Sequence, residues 1–515
     1  TPEEPGEEQQ EFDWNRCLHD QMFVFQENEL DRILYIVITS MTPQRSTTQK
    51  PVPANVLFLS ARYAHYHADQ DLLTNLLVKT LQKINDVVEC HQWDMTILAF
   101  WISNATLLLH YLKKDSGLST STVKFQTQLA TLIHEIFILI VRDAERRIDK
   151  TLDLSILDHE TIAGFEDISF QNEWKIFKRK TQIKEEPVER RFRPLSPKAR
   201  SKPSPRNVIS LLSSTLFVLD LYDIHSVITA QIVAQLLYWL GAELFNRIMS
   251  HRKYLARTKA MQIRMNISVI EEWARSNNRQ PEHYENGSMN CTGESTNDAA
   301  RYHLAPVIQL LQWLQCFSSL QQDDLEALNN TIQQLSRLTP QHLIHVVKHY
   351  RAEVGEKGLP KSGMKHLLQL DKEWQERKEK VRSIRRRSNL NSNLPTKEGQ
   401  NITSDSGLEE QKYDGDTMNF MTHDEMKKDD DEGDEEPPEG LFSDPAHMLP
   451  FTLPSSTDML VSYGAGFGGV NRERERKYIP NIPPEFLAKL DAQTTNGAGR
   501  ARSRYADKEW DEEHV

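Results

Sequence analysis

Apolar residues along most of the chain recur at the spacing of an α-helix. Between Ile232 and Met249 they stand at offsets of 0, 1, 4, 5, 8, 12, 13, 16 and 17 residues. Side chains about three or four positions apart share one face of a helix, so this broad stripe predicts a helix that packs between neighbours in a bundle. The runs from Leu72 to Ile84 and from Thr131 to Ile148 indicate two more bundle helices.

Two apolar runs, at 31–40 and 55–61, have a composition that also suits β-strands. No turn signal joins them into a hairpin, so we interpret both as buried helix. The chain also shows no internal repeat of about 20 to 50 residues, which is the mark of a solenoid. The predicted fold class is therefore all-α.

Chain length and charge patterning predict two packed units. The 515 residues exceed the roughly 250 to 300 at which one hydrophobic core stops growing. From Lys175 to Arg206, twelve Lys or Arg stand against three Glu among five prolines, which is typical of an exposed linker. From Asp424 to Glu439, ten acidic residues stand against two Lys without apolar periodicity, which is typical of disorder.

These two biased stretches define the predicted domain organisation. Its parts are a disordered N-terminal extension at 1–12, a first helical subdomain at 13–174, a basic Pro-rich linker at 175–206, a second helical subdomain at 207–365, a largely disordered acidic segment at 366–448, and a C-terminal segment at 449–515 that partly packs back before becoming disordered.

Several function classes lack their sequence signals. The four cysteines form no C-x-x-C pair, which argues against disulfide frameworks and structural zinc and favours a reducing compartment. No uninterrupted apolar run approaches the roughly 18 residues of a membrane span, and the N-terminus resembles no secretory leader. Nucleophile-elbow, P-loop and zincin motifs are missing as well. We expect a cytoplasmic protein without a transmembrane segment, catalytic residues or cofactors.

Two local patterns imitate functional motifs. Residues 464–469 satisfy G-x-G-x-x-G, but prolines rather than a helix follow, so we interpret them as a glycine-rich turn instead of a nucleotide site. His342, His345 and His349 fall on one helix face in a spacing that suits a metal. With no carboxylate in register, we interpret them as polar or half-buried helix residues and predict no metal site.

The basic linker has two interpretations. Clustered Lys and Arg suit nucleic acid or nuclear import, yet aromatic residues are nearly missing there and the net charge is -12. We therefore favour a solvated, regulated linker and no nucleic-acid partner. Ser196 and Ser204 precede prolines and Ser388 follows three arginines, so all three are candidate phosphorylation sites.

Ordered sequence blocks resemble a known family. The block 235–278, with Leu244-Phe-Asn, the run from Lys259 to Arg264, and Glu271-Glu-Trp, resembles the signature of the dilute (DIL) domain in class V myosin tails. Earlier blocks at 57–66 and 96–112 and later ones at 304–315 and 338–350 are similar to other parts of that tail. The resemblance spans most of 50–365 and a patch near 450–468.

This resemblance implies two stacked helical bundles with a terminal segment lying back across them, and a receptor for partners rather than an enzyme. Partners of that family are Rab-type or Ras-type GTPases and vesicle adaptors. We expect a cargo adaptor linked to vesicle or organelle traffic and actin-based polarity, located in the cytoplasm at vesicles or cortex. The alternative is a cortical or junctional scaffold that binds a small GTPase without transporting anything.

Two further expectations follow from the comparison with myosin tails. No coiled-coil heptads or motor precede the block and the inserts at 175–206 and 370–448 are long, so the chain resembles non-motor members, including fungal proteins with upstream ankyrin repeats. Partners are expected to bind grooves between helices. Lys259, Gln262 and Arg264, on the polar face of the signature block, are the predicted partner-binding residues.

Overall fold

Helices form nearly all of the secondary structure. A computed structural model describes residues 12–46, 48–162, 170–171, 203–285, 288–291, 293–320, 324–392, 440–454 and 479–492. Its first half contains α1 (Leu30–Leu34), α2 (Val52–His67), α3 (Gln70–Cys90), α4 (Met95–Lys114), α5 (Leu118–Ser121) and α6 (Val123–Leu152). Five-residue π-helical turns, Tyr35–Thr39 and Asp153–Leu157, extend α1 and α6. The predicted all-α class is confirmed.

The second half adds nine helices within the described residues. These are α7 (Pro205–Leu221), α8 (Ser226–Ser250), α9 (Arg257–Ser276), α10 (Thr296–His303), α11 (Ala305–Cys316), α12 (Leu325–Gln334), α13 (Pro340–His349), α14 (Lys361–Ser392) and α15 (Pro484–Ala492). A short antiparallel hairpin, β1 (Glu282–Glu285) and β2 (Ser288–Cys291), lies between α9 and α10, with Glu285 opposite Ser288. The sequence analysis did not predict this hairpin.

Local sequence explains where several helices begin. Asp69, Asp94 and Asp324 precede α3, α4 and α12, and each carboxylate accepts a hydrogen bond from a backbone N–H of the first turn. Such caps satisfy N–H groups that have no partner inside the helix. The runs 31–40 and 55–61, whose composition also suited strands, lie in α1 with its π-helical turn and in α2, so the helical interpretation is confirmed.

One continuous apolar core connects the early and late helices. Helix α6 packs against α4 in the first half and against α7 and α8 in the second. A buried ion pair, Lys50 Nζ to Asp223 Oδ2 at 2.9 Å, joins the two halves of the chain. Arg247 of α8 pairs with Asp149 and, at 2.7 Å, with Asp153, both at the end of α6. The stacked bundles are therefore bound through apolar packing and charges.

Gly241 lies where α8 passes the end of α10. A Cβ atom at this position would collide with the backbone carbonyl of His303. Only glycine lets the two backbones approach so closely without displacing one of them. This contact fixes the end of α10 against the middle of α8.

Among the residues that the structure describes, three helices are long and apolar enough to cross a membrane by length and composition. They are Met95–Lys114, Ser226–Ser250 and the helical stretch 123–157. Within the bundle, 78%, 78% and 39% of the most apolar window of each, in that order, is buried. Counting uninterrupted apolar runs overlooked these windows because polar residues interrupt them.

Helix α14 differs from the sequence-based expectation for its region. A largely disordered segment was predicted from residue 366, whereas the helix extends from Lys361 to Ser392. Leu367 is fully buried and anchors its first turns, and α13 packs against it. The rest of the predicted acidic segment up to 439, the N-terminal extension before residue 12 and most of the basic linker lie outside the described residues.

Candidate partner-binding surface

Helix α9, which lies within the signature block, connects the two bundles. Gln262, 2% exposed, donates from Nε2 to the carbonyl of His159 at 3.1 Å and accepts from the N–H of Ile162 at 3.0 Å. One turn later, Asn266 donates to the carbonyls of Ile156 and His159 at 2.8 and 2.9 Å. These buried amides bind the backbone that leaves α6, so these polar signature residues hold the fold together.

The three predicted partner-binding residues do not share one exposed face. Lys259 and Arg264 are half-buried, and each has a carboxylate partner: Glu160 at 3.7 Å and Glu271 at 2.6 Å. Gln262 points inward, which corrects its placement on the polar face. The sequence could not show this because the carbonyl it binds, at His159, lies about a hundred positions earlier.

A second set of amide side chains lies along α8 and binds a distant segment of the chain. This segment, residues 440–453, is called the strap below. It runs antiparallel to α8, with a turn at 445–446 and an extended stretch from 447 to 453, and Phe451 reaches α6 across the groove between α6 and α8. The side chains that bind its backbone are Gln231, Gln235, Tyr238 and Asn246.

Asn246 and Gln231 each bind both backbone groups of one strap residue. Asn246 donates to the carbonyl of Ser443 and accepts from its N–H, both at 2.9 Å. Gln231 donates to the carbonyl of Thr452 at 2.8 Å and accepts from its N–H at 2.7 Å. Because each amide matches a donor and an acceptor at once, its orientation is fixed by the contact.

The middle of the strap is bound in the same way. Gln235 donates to the carbonyl of His447 at 3.0 Å and accepts from the N–H of Leu449 at 2.8 Å. Tyr238 donates its hydroxyl hydrogen to the carbonyl of Asp444 at 2.8 Å. We call Gln231, Gln235 and Asn246 the amide row, and the Tyr238 hydroxyl adds one bond beside it. All its described bonds to strap backbone atoms are independent of the strap's side chains.

Apolar side chains of the strap add a second type of contact. Leu449, Phe451 and Leu453 are half-buried and alternate with the exposed Pro450 and Thr452, as in an extended strand with one face covered. The Phe451 ring stacks on His134 of α6 with centroids 5.0 Å apart and lies 4.5 Å from Phe137. Phe451 is therefore the aromatic anchor of the strap.

Another distant segment packs on the first bundle. Ile482, Phe486 and Leu490 stand four residues apart and are 2%, 4% and 0% exposed. Asn55 of α2 donates to the carbonyl of Asn481 at 2.7 Å, and Arg32 of α1 donates to that of Leu490 at 2.9 Å. Helix α15 is thus bound through one apolar face, with polar contacts at both ends.

The seam between α6 and α8 contains a carboxyl group with a shifted pKa. Burial raises the pKa of Glu145 to about 7, and the negative charge of Glu243 on α8 adds to the effect, while Arg142 opposes it. Glu243 itself pairs with Arg247 at 2.9 Å. The carboxyl of Glu145 therefore changes charge near neutral pH.

The three histidines of α13 serve separate roles. His342 is buried and accepts the N–H of Thr339 at 3.0 Å, as part of the helix cap, and burial lowers the pKa of His342 to about 4. His345 contacts the carbonyl of Met249 at 3.1 Å, and His349 that of His345 at 2.9 Å. Within the part of the chain that the structure describes, no group of three His, Cys, Asp or Glu is arranged to hold a metal.

Of the candidate phosphorylation sites, the structure describes one side chain. Ser204 precedes α7 and forms a capping box with Asn207, which accepts from the Ser204 N–H at 2.9 Å. Ser196 and the side chain of Ser388 lie outside the described residues, as do the glycines at 464–469.

A surface groove lies between α3 and α6. Its volume is about 300 Å³, and it is open to solvent. The walls combine apolar and amide side chains, among them Leu81, Asn85, Gln128 and Leu132. It is shallow and lacks the continuous polar contacts found along α8.

Comparison with known proteins identifies a domain and several relatives. A family model described as the DIL domain matches residues 231–354. A dilute domain-containing protein of Schizosaccharomyces pombe is 32% identical over 351 residues, covering 67% of this chain and 58% of the relative. A dilute domain-containing protein of Saccharomyces cerevisiae is 21% identical, covering 67% and 52%. The chain therefore spans just over half the length of these two relatives.

Myosins match a smaller share of the chain. Human unconventional myosin-Va is 26% identical over 294 residues, covering 54% of this chain and 14% of the myosin. A solved myosin V cargo binding domain superposes with a TM-score of 0.49 and 14% identity, covering 67% of this chain and 84% of that structure. The match to the family model begins at Gln231, the first residue of the amide row.

Proposed function

The chain is a dilute-domain (DIL) protein, and from this premise we propose that it is a non-enzymatic adaptor that binds partner proteins. The observation that carries the proposal is the amide row, which lies within the DIL match and holds an extended peptide by its backbone. Side chains that satisfy a peptide backbone are a basis for binding extended segments, since unpaired backbone groups are costly to cover.

The finer proposal concerns the partners and their location. We propose that the chain acts in the cytoplasm, at vesicles or the cell cortex, as a cargo adaptor in vesicle or organelle traffic and actin-based polarity. A Rab-type or Ras-type GTPase or a vesicle adaptor is the proposed partner. The similarity to unconventional myosin-Va supports this class of function, and the two dilute domain-containing relatives support a non-motor member.

Lys259 and Arg264, on the solvent side of α9, remain proposed partner contacts. Both are half-buried and paired, so a partner would have to compete with Glu160 and Glu271. Gln262 is buried beneath these two residues. We propose that it holds α9 in place through its bonds to the backbone at 159 and 162.

The test is a binding assay of the whole chain against purified small GTPases, each loaded with GDP or GTP, and against purified vesicle adaptors. The proposal predicts that a GTP-loaded Rab-type protein or a vesicle adaptor binds. The variant Lys259→Glu/Arg264→Glu is expected to weaken that binding, with Arg275→Glu on the exposed end of α9 as the matched control. Binding of cortical or junctional proteins alone would contradict the transport role.

A further inference from the structure

The groove between α6 and α8 has the properties of an exchangeable peptide site. We propose that it binds an extended segment of a partner protein and that the strap, residues 440–453, occupies it until that segment displaces the strap. The inference rests on the proposed adaptor function and adds the site, the chemistry of the ligand and the element that regulates access.

The first step of the argument is that the amide row recognises a backbone. Gln231, Gln235 and Asn246 each provide one donor and one acceptor. In each case the donor binds a strap carbonyl and the acceptor binds a strap N–H. Every peptide except one with proline at a donor position offers the same groups. The row therefore accepts segments of other sequence without losing a backbone hydrogen bond, whereas the bond from Thr452 Oγ1 to Gln231 Oε1 at 3.3 Å needs a hydroxyl at that position.

The second step concerns the side chains that select the ligand. The alternation of Leu449, Phe451 and Leu453 toward the groove predicts a ligand with the pattern apolar-x-aromatic-x-apolar. The aromatic residue has to fit against His134 and Phe137. The strap contains one acidic residue, Asp444, whose side chain is exposed, so the ligand's core needs no matching charge.

The third step is that the strap is bound less deeply than a permanent element. Its contacting apolar residues are half-buried rather than buried, and Phe442 is 46% exposed. The backbone bonds of the strap to the row are replaced one for one by those of an incoming peptide, so exchange leaves no buried group unpaired. A segment held this way blocks the groove while remaining open to competition.

The test measures binding of a labelled synthetic peptide with the strap sequence, GLFSDPAHMLPFTL, to the whole chain by fluorescence anisotropy. In Thr452→Pro the strap loses the N–H that Gln231 accepts, while the groove is unchanged. We expect this variant to bind the peptide about tenfold more tightly than the unmodified chain, because a larger fraction of grooves is free. Phe451→Ser, which removes the anchor, is expected to do the same.

Three controls connect the binding to the proposed site. Phe442→Ser changes an exposed strap residue and should leave the affinity as in the unmodified chain. Gln231→Ala/Gln235→Ala in the Thr452→Pro background should abolish the gain. A peptide with serine in place of the residue corresponding to Phe451 should bind weakly to every variant.

Equal peptide affinity for the unmodified chain, Thr452→Pro and Phe451→Ser overturns the proposal. So does a concentration-dependent dimer of the unmodified chain in light scattering that Thr452→Pro abolishes, because the occupant would then be a second copy. Binding of GTPases by other surfaces would survive either result. Failure of the peptide site is thus separable from failure of the adaptor function.

Discussion

Two segments far along the chain return to the helices, and they are bound by opposite means. The strap meets α8 mainly through backbone hydrogen bonds to an amide row, with apolar side chains half-buried. The segment with α15 buries Ile482, Phe486 and Leu490 almost completely. Burial of a large apolar side chain stabilises by about 1.5 to 3 kcal/mol, whereas a net hydrogen bond contributes about 0.5 to 1.5.

This difference suggests a structural role for the α15 segment and a regulatory role for the strap. A segment whose apolar side chains complete the core of the first bundle is part of the fold, because its departure would leave a cavity. A segment that is held mainly by hydrogen bonds to its backbone can be displaced by another peptide that offers the same backbone groups. The strap therefore has the properties of a removable cover, whereas α15 has those of a permanent part of the fold.

The largest expected effect comes from breaking the permanent contact. Phe486→Ala should lower the free energy of unfolding by about 3 to 5 kcal/mol, the usual cost of deleting a buried phenylalanine ring. Chemical denaturation measures this value. The matched control, Phe442→Ala in the exposed part of the strap, should remain within about 0.5 kcal/mol of the unmodified chain. Equal losses from the two variants would contradict the comparison.

A smaller effect is expected when the aromatic anchor of the strap is removed. Phe451→Ala should cost about 1 to 2 kcal/mol, since the ring is half-buried between His134 and Phe137. The loss should be local, and it is measured as faster labelling of a cysteine introduced in place of Met448, a half-buried residue of the strap. Unchanged labelling of that cysteine would show that the strap does not depend on its anchor.

Shortening one member of the amide row should have a lesser effect. Gln235→Ala removes one donor and one acceptor for strap backbone groups and is expected to cost about 1 kcal/mol. The same labelling readout at residue 448 measures it, with Gln334→Ala, an exposed glutamine at the end of α12, as the control. A loss as large as that of Phe486→Ala would mean that the row is a structural element.

The smallest effect concerns the seam between α6 and α8 beside which the strap lies. Because burial raises the pKa of Glu145 to about 7, the folded protein holds this proton more tightly than the unfolded chain. Below about pH 4.5 both states are protonated and stability is unaffected; as pH rises from about 4.5 to 7 the unfolded chain gives up the proton first, so folding is increasingly opposed, and above about 7 the full penalty is present. Glu145→Gln should therefore raise the melting temperature at pH 8 and leave it almost unchanged near pH 4.

The control for this prediction is Glu135→Gln on the same helix. The gain from Glu145→Gln at pH 8 is expected to be at most about 1 kcal/mol, since partial exposure screens the charge. A gain that is equal at both pH values would show that hydrogen bonding or packing, and not the charge, causes it.

Much of the fold follows from local sequence. The stripe from Ile232 to Met249 lies in α8, and Thr131 to Ile148 lies in α6, since helical periodicity is a property of neighbours in sequence. The hairpin between α9 and α10 also had a local signal, the Asn-Gly dipeptide at 286–287, which is typical of two-residue turns.

The binding surface was less accessible to prediction. Gln231 and Gln235 are ordinary polar positions on a helix until the strap, more than two hundred residues later, brings the groups they bind. The sequence pattern places Gln262 on a polar face because its partners near residue 160 also lie far away, about a hundred positions earlier. Sequence resemblance suggested a returning segment at 449–515, and the structure places both 440–454 and 479–492 against the helices.

The most direct test of the central claim is hydrogen exchange of the unmodified chain, comparing amides of the strap with those of α15. The account predicts that N–H groups of Ser443, Leu449 and Thr452 exchange through a local opening that needs little denaturant, while those of 486–490 exchange only as the first bundle unfolds. Addition of excess strap peptide should speed exchange in the strap alone. Exchange of both segments with the same free energy and the same denaturant dependence would contradict the account.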